Sequence, residues 1–177
     1  MLHFLVLLTT LKAINLEIDR TGYVNGWDER MDWTAENNRM VTGLYSVHDS
    51  HKDDRKWKFY HGSAEGITTS GCQWSDTLNS YDKKFTFECK PDHAITGFLS
   101  WHNNHNEDRR WTIRCCRVHG ASLLVKDWGE YRNNWEENLD YECNSDEVVT
   151  GLYSYHSNSL DVGKSAVPSL VFSLIII

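Results

Sequence analysis

A unit of about 54 residues occurs three times along the 177-residue chain, and this repeat constrains the fold more than any other feature. Several residue types recur at that spacing without a gap: Gly43, Gly97 and Gly151; Ser46, Ser100 and Ser154; His48, His102 and His156. The hexapeptide VTGLYS stands at 41–46 and again at 149–154. Copies that share a sequence pattern form the same structural unit and bury their apolar faces against one another.

Each copy alternates large apolar residues with charged ones, which is the pattern of a half-buried β-strand. In copy one, Trp57 and Phe59 alternate with Lys56 and Lys58. The polar segments HDSHKDD and HNNHNED separate such runs and indicate turns. The pattern contains no long amphipathic helix. It therefore predicts an all-β domain over 19–160, whose repeats at about 22–66, 72–118 and 121–160 have pseudo-threefold symmetry, as in a trefoil or a prism.

Charge and motifs exclude several classes of function. The net charge of −7 argues against a nucleic-acid-binding protein, whose surface carries a basic excess. The chain contains no GxSxG, HExxH, P-loop or GxGxxG motif. The sequence therefore predicts neither an enzyme nor a bound cofactor. An extracellular hydrolase is the remaining enzymatic alternative, and no pair of carboxylates stands out by its spacing.

The two termini differ from the repeats. Residues 1–13 are an apolar run that ends in a small residue, and they are predicted to be a signal peptide, with a buried strand or helix as the alternative. At the other end, the repeat pattern stops after Asn158 and an aberrant apolar tail, 161–177, replaces the last strand of copy three. Its uncharged part is too short to span a membrane as a helix. Either the tail fills the vacant strand or it is translated non-coding sequence, and we prefer the second interpretation.

The repeat also indicates which of the five cysteines form disulfides. Cys89 and Cys115 are both present in copy two, and copy one has neither. Joint presence and joint absence indicate a bonded pair, which leaves Cys72 and Cys116 as the second disulfide. Cys143 matches Cys89, but its partner position is occupied by serine, so this cysteine is predicted to be unpaired. Disulfides of this kind form in secreted proteins.

Several motifs resemble the dermatopontin family over roughly residues 22–160. They are GYVN (22–25), VTGLYS (41–46), DRKWKF (54–59), CQW (72–74), FEC (87–89), AITGF (94–98) and DRRWTIRCCR (108–117). The resemblance implies a secreted, disulfide-bonded and non-enzymatic protein. In vertebrate members it implies collagen fibril organisation and binding to the proteoglycan decorin and to dermatan sulfate, and in invertebrate members haemagglutination or amebocyte aggregation. The chain departs from the family in the cysteines of copy one, the end of copy three and a less tyrosine-rich N-terminal stretch.

The family motif D-R-x-W occurs in copies one and two, and it supports two interpretations. Its residues are Asp54, Arg55, Trp57, Asp108, Arg109 and Trp111. The arginines are able to bind sulfate or carboxylate groups through the guanidinium fork. Because the motif recurs in successive copies, we favour a structural role instead, in which the aspartate caps a turn or pairs with the arginine and the tryptophan lies in the core.

A local basic patch is the main candidate binding site of this acidic chain. Its residues are Lys56, Lys58, Arg110, Arg114 and Arg117. Sulfated glycans bind such patches. The alternative is a solvated strand face that opposes edge-to-edge pairing.

Histidines and exposed aromatic residues are weaker candidates. His48 with His51, and His102 with His105, have a spacing that zinc ligands share, but loop histidines are common and no metal site is predicted. Tryptophans with neighbouring asparagines form sugar sites in lectins, although core packing is the preferred role of these residues here. They are Trp27, Trp128 and Trp135, with Asn25, Asn133 and Asn134.

Together these features predict a secreted adhesion or extracellular matrix protein that binds collagen, proteoglycans, sulfated glycosaminoglycans or cell-surface glycans. The alternative is a secreted carbohydrate-binding haemagglutinin that aggregates cells. Loss of one strand in copy three also predicts self-association through an exposed sheet edge.

Overall fold

The computed structural model describes residues 15–124, 132–134 and 136–156, together with the backbone of 165–166 and 169–175. No helix among these residues is long and apolar enough to cross a membrane. The described residues form thirteen strands, which confirms the predicted all-β fold. The strands are β1 (Glu17–Arg20), β2 (Met31–Thr34), β3 (Met40–Asp49), β4 (Asp54–Ser63), β5 (Thr68–Trp74), β6 (Phe85–Glu88), β7 (His93–Asn103), β8 (Asp108–His119), β9 (Ser122–Leu124), β10 (Leu139–Glu142), β11 (Glu147–His156), β12 (Ser165–Ala166) and β13 (Ser169–Ile175).

The strands form three antiparallel sheets, and each sheet contains one hairpin or long strand pair from one copy. These pairs are β3–β4 in copy one, β7–β8 in copy two and β11–β13 in copy three. Each copy also gives its short strand to the sheet of another copy: β2 pairs with β7, β6 with β11 and β10 with β3. This exchange links the three copies in a closed cycle. Exact threefold symmetry stays a prediction, because copy three ends differently.

The glycine shared by the copies makes the strand exchange sterically possible. A β-bulge lies just before Gly97 in β7, where the exchanged strand β2 approaches. A Cβ atom at this glycine would stand 2.8 Å from the Thr34 side chain and 2.9 Å from the Trp33 carbonyl oxygen. Only a residue without a side chain leaves room for the neighbouring backbone. The recurrence of this glycine is therefore explained by close approach rather than by an unusual φ angle.

Aromatic rings from copies one and two fill the centre of the molecule. Phe59 stacks on Phe98 with ring centroids 4.5 Å apart, and Trp33 stacks on Phe59 at 4.6 Å. Trp57 and Trp111 meet edge to face at 5.2 Å. A second buried cluster contains Met40, Ala94 and Val148, which occupy equivalent positions of the three copies, together with Leu16, Ile67 and Val118. The burial of aromatic surface in a small domain supplies much of its stability.

Two disulfide bonds cross-link the strands of copy two. Cys89 is bonded to Cys115 and Cys72 to Cys116, the pairs that the repeat predicts. Cys143 is a buried free cysteine, also as predicted. Burial raises the pKa of its thiol to about 12, so the thiol stays protonated near neutral pH.

Copy three is completed by a strand that does not belong to the repeat pattern. The backbone of β13 pairs with β11 on one side and with β9 on the other. Its register differs from that of copy two: Val149 pairs with Val171, whereas the equivalent Ile95 pairs with Cys115. This pairing corresponds to the first of the two interpretations of the tail. The predicted signal peptide lies outside the described residues.

Candidate functional site

The D-R-x-W motif joins one copy to the next. The Arg109 guanidinium binds both carboxylate oxygens of Asp54 in copy one, at 2.6 Å and 2.8 Å. The same carboxylate accepts a hydrogen bond from the Asp28 backbone N–H at 2.8 Å, and Arg109 also donates to the Glu29 carbonyl oxygen at 3.1 Å. Both charged side chains are buried, with 6% of Arg109 and 1% of Asp54 exposed. The Nε and Nη2 atoms of Arg109 are both bonded within the protein, so the position of this side chain supports the structural interpretation.

Arg55, the equivalent residue of copy one, has no such carboxylate partner within the described part of the chain. Its Nη1 donates to the Ser46 hydroxyl at 3.1 Å and to the Glu137 carbonyl oxygen at 2.9 Å, but its Nε and Nη2 have no hydrogen-bond partner although they are buried. Burial lowers the pKa of this guanidinium to about 10. In the cycle of three copies, Arg55 would pair with the aspartate of copy three, as Arg109 pairs with Asp54 of copy one. Copy three lacks this aspartate, because valine and glycine stand at 162 and 163, the positions of the Asp-Arg pair.

The two aspartates and tryptophans of the motif also have local structural contacts. Asp108 accepts hydrogen bonds from the backbone N–H groups of Asp82 and Arg109, at 2.8 Å and 2.6 Å. Trp57 and Trp111 are buried in the aromatic core. The motif therefore builds turns, the core and the junction between copies.

Lys56 and Lys58 lie on the outer side of β4 among three aromatic rings. The Lys56 ammonium group is 4.7 Å from the Tyr23 ring centroid and 4.8 Å from that of Trp27. The Lys58 ammonium group is 4.4 Å from the Tyr23 ring and 5.1 Å from that of Tyr45. We call these five residues the aromatic–basic face. It presents cations and ring surfaces together, which is a combination suited to anionic sugars.

The basic residues of copy two are distributed over both sides of β8. Arg110 is half-buried, with its guanidinium 5.5 Å from the Tyr81 ring centroid. Arg114 is also half-buried and pairs with Trp74 of β5. Arg117 is exposed, and the alternation of side chains along β8 places it on the opposite side from Arg110 and Arg114. The joint action of the five basic residues as one binding patch stays a prediction.

The repeated histidines do not define a metal site. His102 lies with Asp28 and Asp54 in a cluster whose ligand atoms are within 4.8 Å of one another. However, both oxygens of Asp54 are bound to Arg109, whose positive charge opposes a metal ion there. In the adjoining loops, the backbone N–H groups of His51 and His105 bond to the side chains of Asp49 and Asn103. These contacts shape hairpin turns.

The predicted tryptophan–asparagine sites are only partly described, and in the first of them Trp27 is half-buried with the Lys56 ammonium group 4.8 Å from its ring centroid. Asn25 is buried and bridges the backbone of β4: it donates to the Arg55 carbonyl oxygen and accepts from the Trp57 N–H, each at 2.9 Å. Its amide is therefore not available to a sugar. Asn133 is likewise buried and donates to the Asn134 carbonyl oxygen at 3.0 Å. Trp128 and Trp135 lie outside the described residues.

Sequence reasoning did not identify the surroundings of Trp74. This residue is 41% exposed at the end of β5 and lines a pocket of about 160 Å³. Copy one has arginine at the equivalent position 20. The sequence feature that could have indicated this site is a tryptophan at a repeat position where copy one has a charged residue. The fold and these surfaces define a repeat-built, disulfide-bonded all-β protein whose described surface residues include basic groups beside aromatic rings.

Comparisons with known proteins agree with that class. The family model for dermatopontin matches residues 11–66 and 61–162. The chain is 34% identical to the hemagglutinin/amebocyte aggregation factor of Limulus polyphemus over 138 residues, which are 77% of this chain and 79% of that protein. It is 27% identical to dermatopontin of Biomphalaria glabrata over 134 residues, 76% of this chain and 89% of the relative.

A third relative is Millepora cytotoxin-1 of Millepora dichotoma, 36% identical over 100 residues that are 56% of this chain and 43% of that protein. No solved structure matches the chain significantly. The chain belongs to the dermatopontin family, which confirms the resemblance found in its motifs.

Proposed function

We propose that this protein is a secreted, non-enzymatic adhesion or matrix protein that binds sulfated glycosaminoglycans, proteoglycans or collagen. The observation that carries the proposal is the aromatic–basic face. Lys56 and Lys58 supply cations for sulfate and carboxylate groups. Tyr23, which is 44% exposed, offers a ring surface beside them. Secretion is supported by the two disulfides, which persist in oxidising compartments.

The face keeps a local basic character although the chain is acidic. Two acidic groups on the same sheet have polar partners: Glu142 forms a 2.8 Å ion pair with Arg20, and Asp140 accepts a 2.9 Å hydrogen bond from the Tyr60 hydroxyl. Burial and this hydrogen bond raise the pKa of Tyr60 to about 12. The ammonium groups of Lys56 and Lys58 are the cations that this face offers to a sulfated chain.

The test compares two double variants with the same change in net charge. Lys56→Ala/Lys58→Ala removes the face, and Lys83→Ala/Lys84→Ala removes two exposed lysines of a turn in copy two. On immobilised dermatan sulfate, the first variant is expected to bind about tenfold more weakly and to lose part of its salt dependence. The second is expected to bind like the wild type. Equal effects of both variants, or no effect of either, contradict the proposal.

A second candidate function is agglutination of cells through cell-surface glycans. It is favoured by the Trp74 pocket and by the 34% identity to the Limulus protein named as a hemagglutinin and aggregation factor. Sugar binding by ring stacking tolerates salt, unlike binding to sulfated chains. Agglutination of erythrocytes that persists at high salt and is inhibited by one simple sugar supports this function; agglutination abolished by salt contradicts it.

A further inference from the structure

The pocket beside Trp74 is a place where copy two differs from copy one. Its lining includes Gln73 and Trp74 from β5, Phe87 and Glu88 from β6, and the Cys89–Cys115 disulfide. It therefore lies where β5 of one sheet meets β6, which belongs to the sheet of copy three. The repeat supplies a direct comparison, because copy one has the same junction between β1 and β2.

In copy one the equivalent junction is closed by charged and aromatic side chains. Arg39 forms a 2.7 Å ion pair with Asp19, and the Trp33 ring lies 5.6 Å from that of His61. Copy two lacks this ion pair. Its equivalents of Asp19 and Arg39 are Gln73 and His93, which form no ion pair in the described part of the chain. In place of His61, the disulfide occupies less space than an imidazole ring. The pocket therefore lies where these substitutions remove the ion pair and the imidazole ring that copy one has at the same junction.

The pocket has the size and lining of a site for one sugar ring. A cavity of about 150 Å³ holds a six-membered benzene ring, and this pocket measures about 160 Å³. The indole of Trp74 offers a flat apolar surface to the C–H face of a pyranose. Gln73, Glu88 and Lys90 are exposed, and within the described residues their side chains make no hydrogen bond, so the polar side-chain atoms remain available for hydroxyl groups.

We propose that this pocket binds one pyranose residue of an uncharged glycan, with the ring stacked on Trp74 and its hydroxyls bonded to Gln73 and Glu88. An uncharged sugar is favoured because the lining carries one carboxylate, Glu88, and one ammonium group, Lys90, so it offers no net positive charge to sulfate or uronate groups, whereas both side chains can bond to hydroxyls. The site is separate from the aromatic–basic face, which lies on the sheet of copy one. The assignment rests on the proposed glycan-binding function and identifies a second ligand class for it.

The experiment monitors the indole N–H signal of Trp74 by two-dimensional NMR during titration with the methyl glycosides of glucose, galactose and mannose. Saturable shifts of this signal with at least one glycoside are expected. Trp74→Ala should weaken binding of that glycoside by about tenfold or more. The matched control is Tyr155→Ala, which removes an aromatic ring of similar exposure, 37%, from outside the pocket lining and the aromatic–basic face and should leave this binding unchanged.

A second variant closes the pocket without removing the tryptophan. Gln73→Asp/His93→Arg restores the ion pair of copy one and should abolish glycoside binding while the Trp74 ring remains. Absence of shifts with all three glycosides, or wild-type affinity in either pocket variant, overturns the assignment. Binding to dermatan sulfate is measured on the same samples: if it persists while glycoside binding fails, only the pocket assignment is wrong, whereas loss of both contradicts the proposed function as well.

Discussion

Replacing each of two equivalent arginines by methionine should have very different effects on stability. Arg109 forms a buried bidentate ion pair with Asp54, whereas Arg55 has no carboxylate partner among the residues that the structure describes. Arg109→Met leaves the Asp54 carboxylate, 1% exposed, without its counter-charge. Removing one partner of a buried pair costs about 3–5 kcal/mol.

The same substitution at Arg55 removes two hydrogen bonds, from Nη1 to Ser46 and Glu137, worth about 1 kcal/mol each. It also removes a guanidinium whose desolvation is so unfavourable that its pKa falls to about 10. These effects oppose each other, so the free energy of unfolding should change by no more than about 1 kcal/mol.

Thermal and urea unfolding of the oxidised protein measure the difference. For a domain of this size each kcal/mol corresponds to about 2–4 °C in Tm, so Arg109→Met should lower Tm by about 6–20 °C and Arg55→Met by a few degrees at most. Asp54→Asn in the wild type is a useful control, because it leaves Arg109 buried without a carboxylate and should also be strongly destabilising. Equal losses for the two arginine variants would refute the reasoning.

Three further predictions concern local features of the fold. The Cys143 thiol, buried and with a pKa raised to about 12, should react with iodoacetamide only after unfolding in urea; rapid labelling of the native protein would contradict its burial. Gly97→Ala should destabilise by about 1–3 kcal/mol because of the approach of β2, whereas Gly22→Ala, where no atom lies within 4 Å, should be nearly neutral in the same urea titration. Burial lowers the pKa of His61, so the folded state takes up its proton at a lower pH than the unfolded chain, and stability should fall as pH drops below about 6.5. His61→Gln should show a weaker loss of Tm over that range, and an unchanged pH profile would contradict the assignment.

The strands and the disulfides could be predicted from the sequence because their signals are local or repeated. Alternation of Trp57 and Phe59 with lysines is visible in a short window and matches the observed strand β4. The pairing of Cys89 with Cys115 was available from comparison of two copies of the same unit. In both cases the residues that interact lie within one repeat unit.

Features that depend on contacts between copies could not be predicted in the same way. The D-R-x-W motif suggests pairing inside one copy, but Arg109 binds Asp54 of the preceding copy, across the exchanged strands. The joint action of the five basic residues stays a prediction, because it depends on how the sheets that contain β4 and β8 are placed relative to each other. The Trp74 pocket arises where copy two lacks the ion pair of copy one. Only the folded structure shows that the residues at these positions meet.

Binding of the purified, oxidised protein to an array of sulfated glycosaminoglycans, neutral glycans and collagen, at about 0.1 M and about 1 M salt, tests the central claim most directly. We expect salt-sensitive binding to sulfated chains or collagen, since the charges of Lys56 and Lys58 on the outer side of β4 are screened at high salt, and weak salt-tolerant binding to a neutral glycan. Absence of binding to every glycan and to collagen at the lower salt concentration would contradict the claim that this member of the dermatopontin family is an adhesion protein.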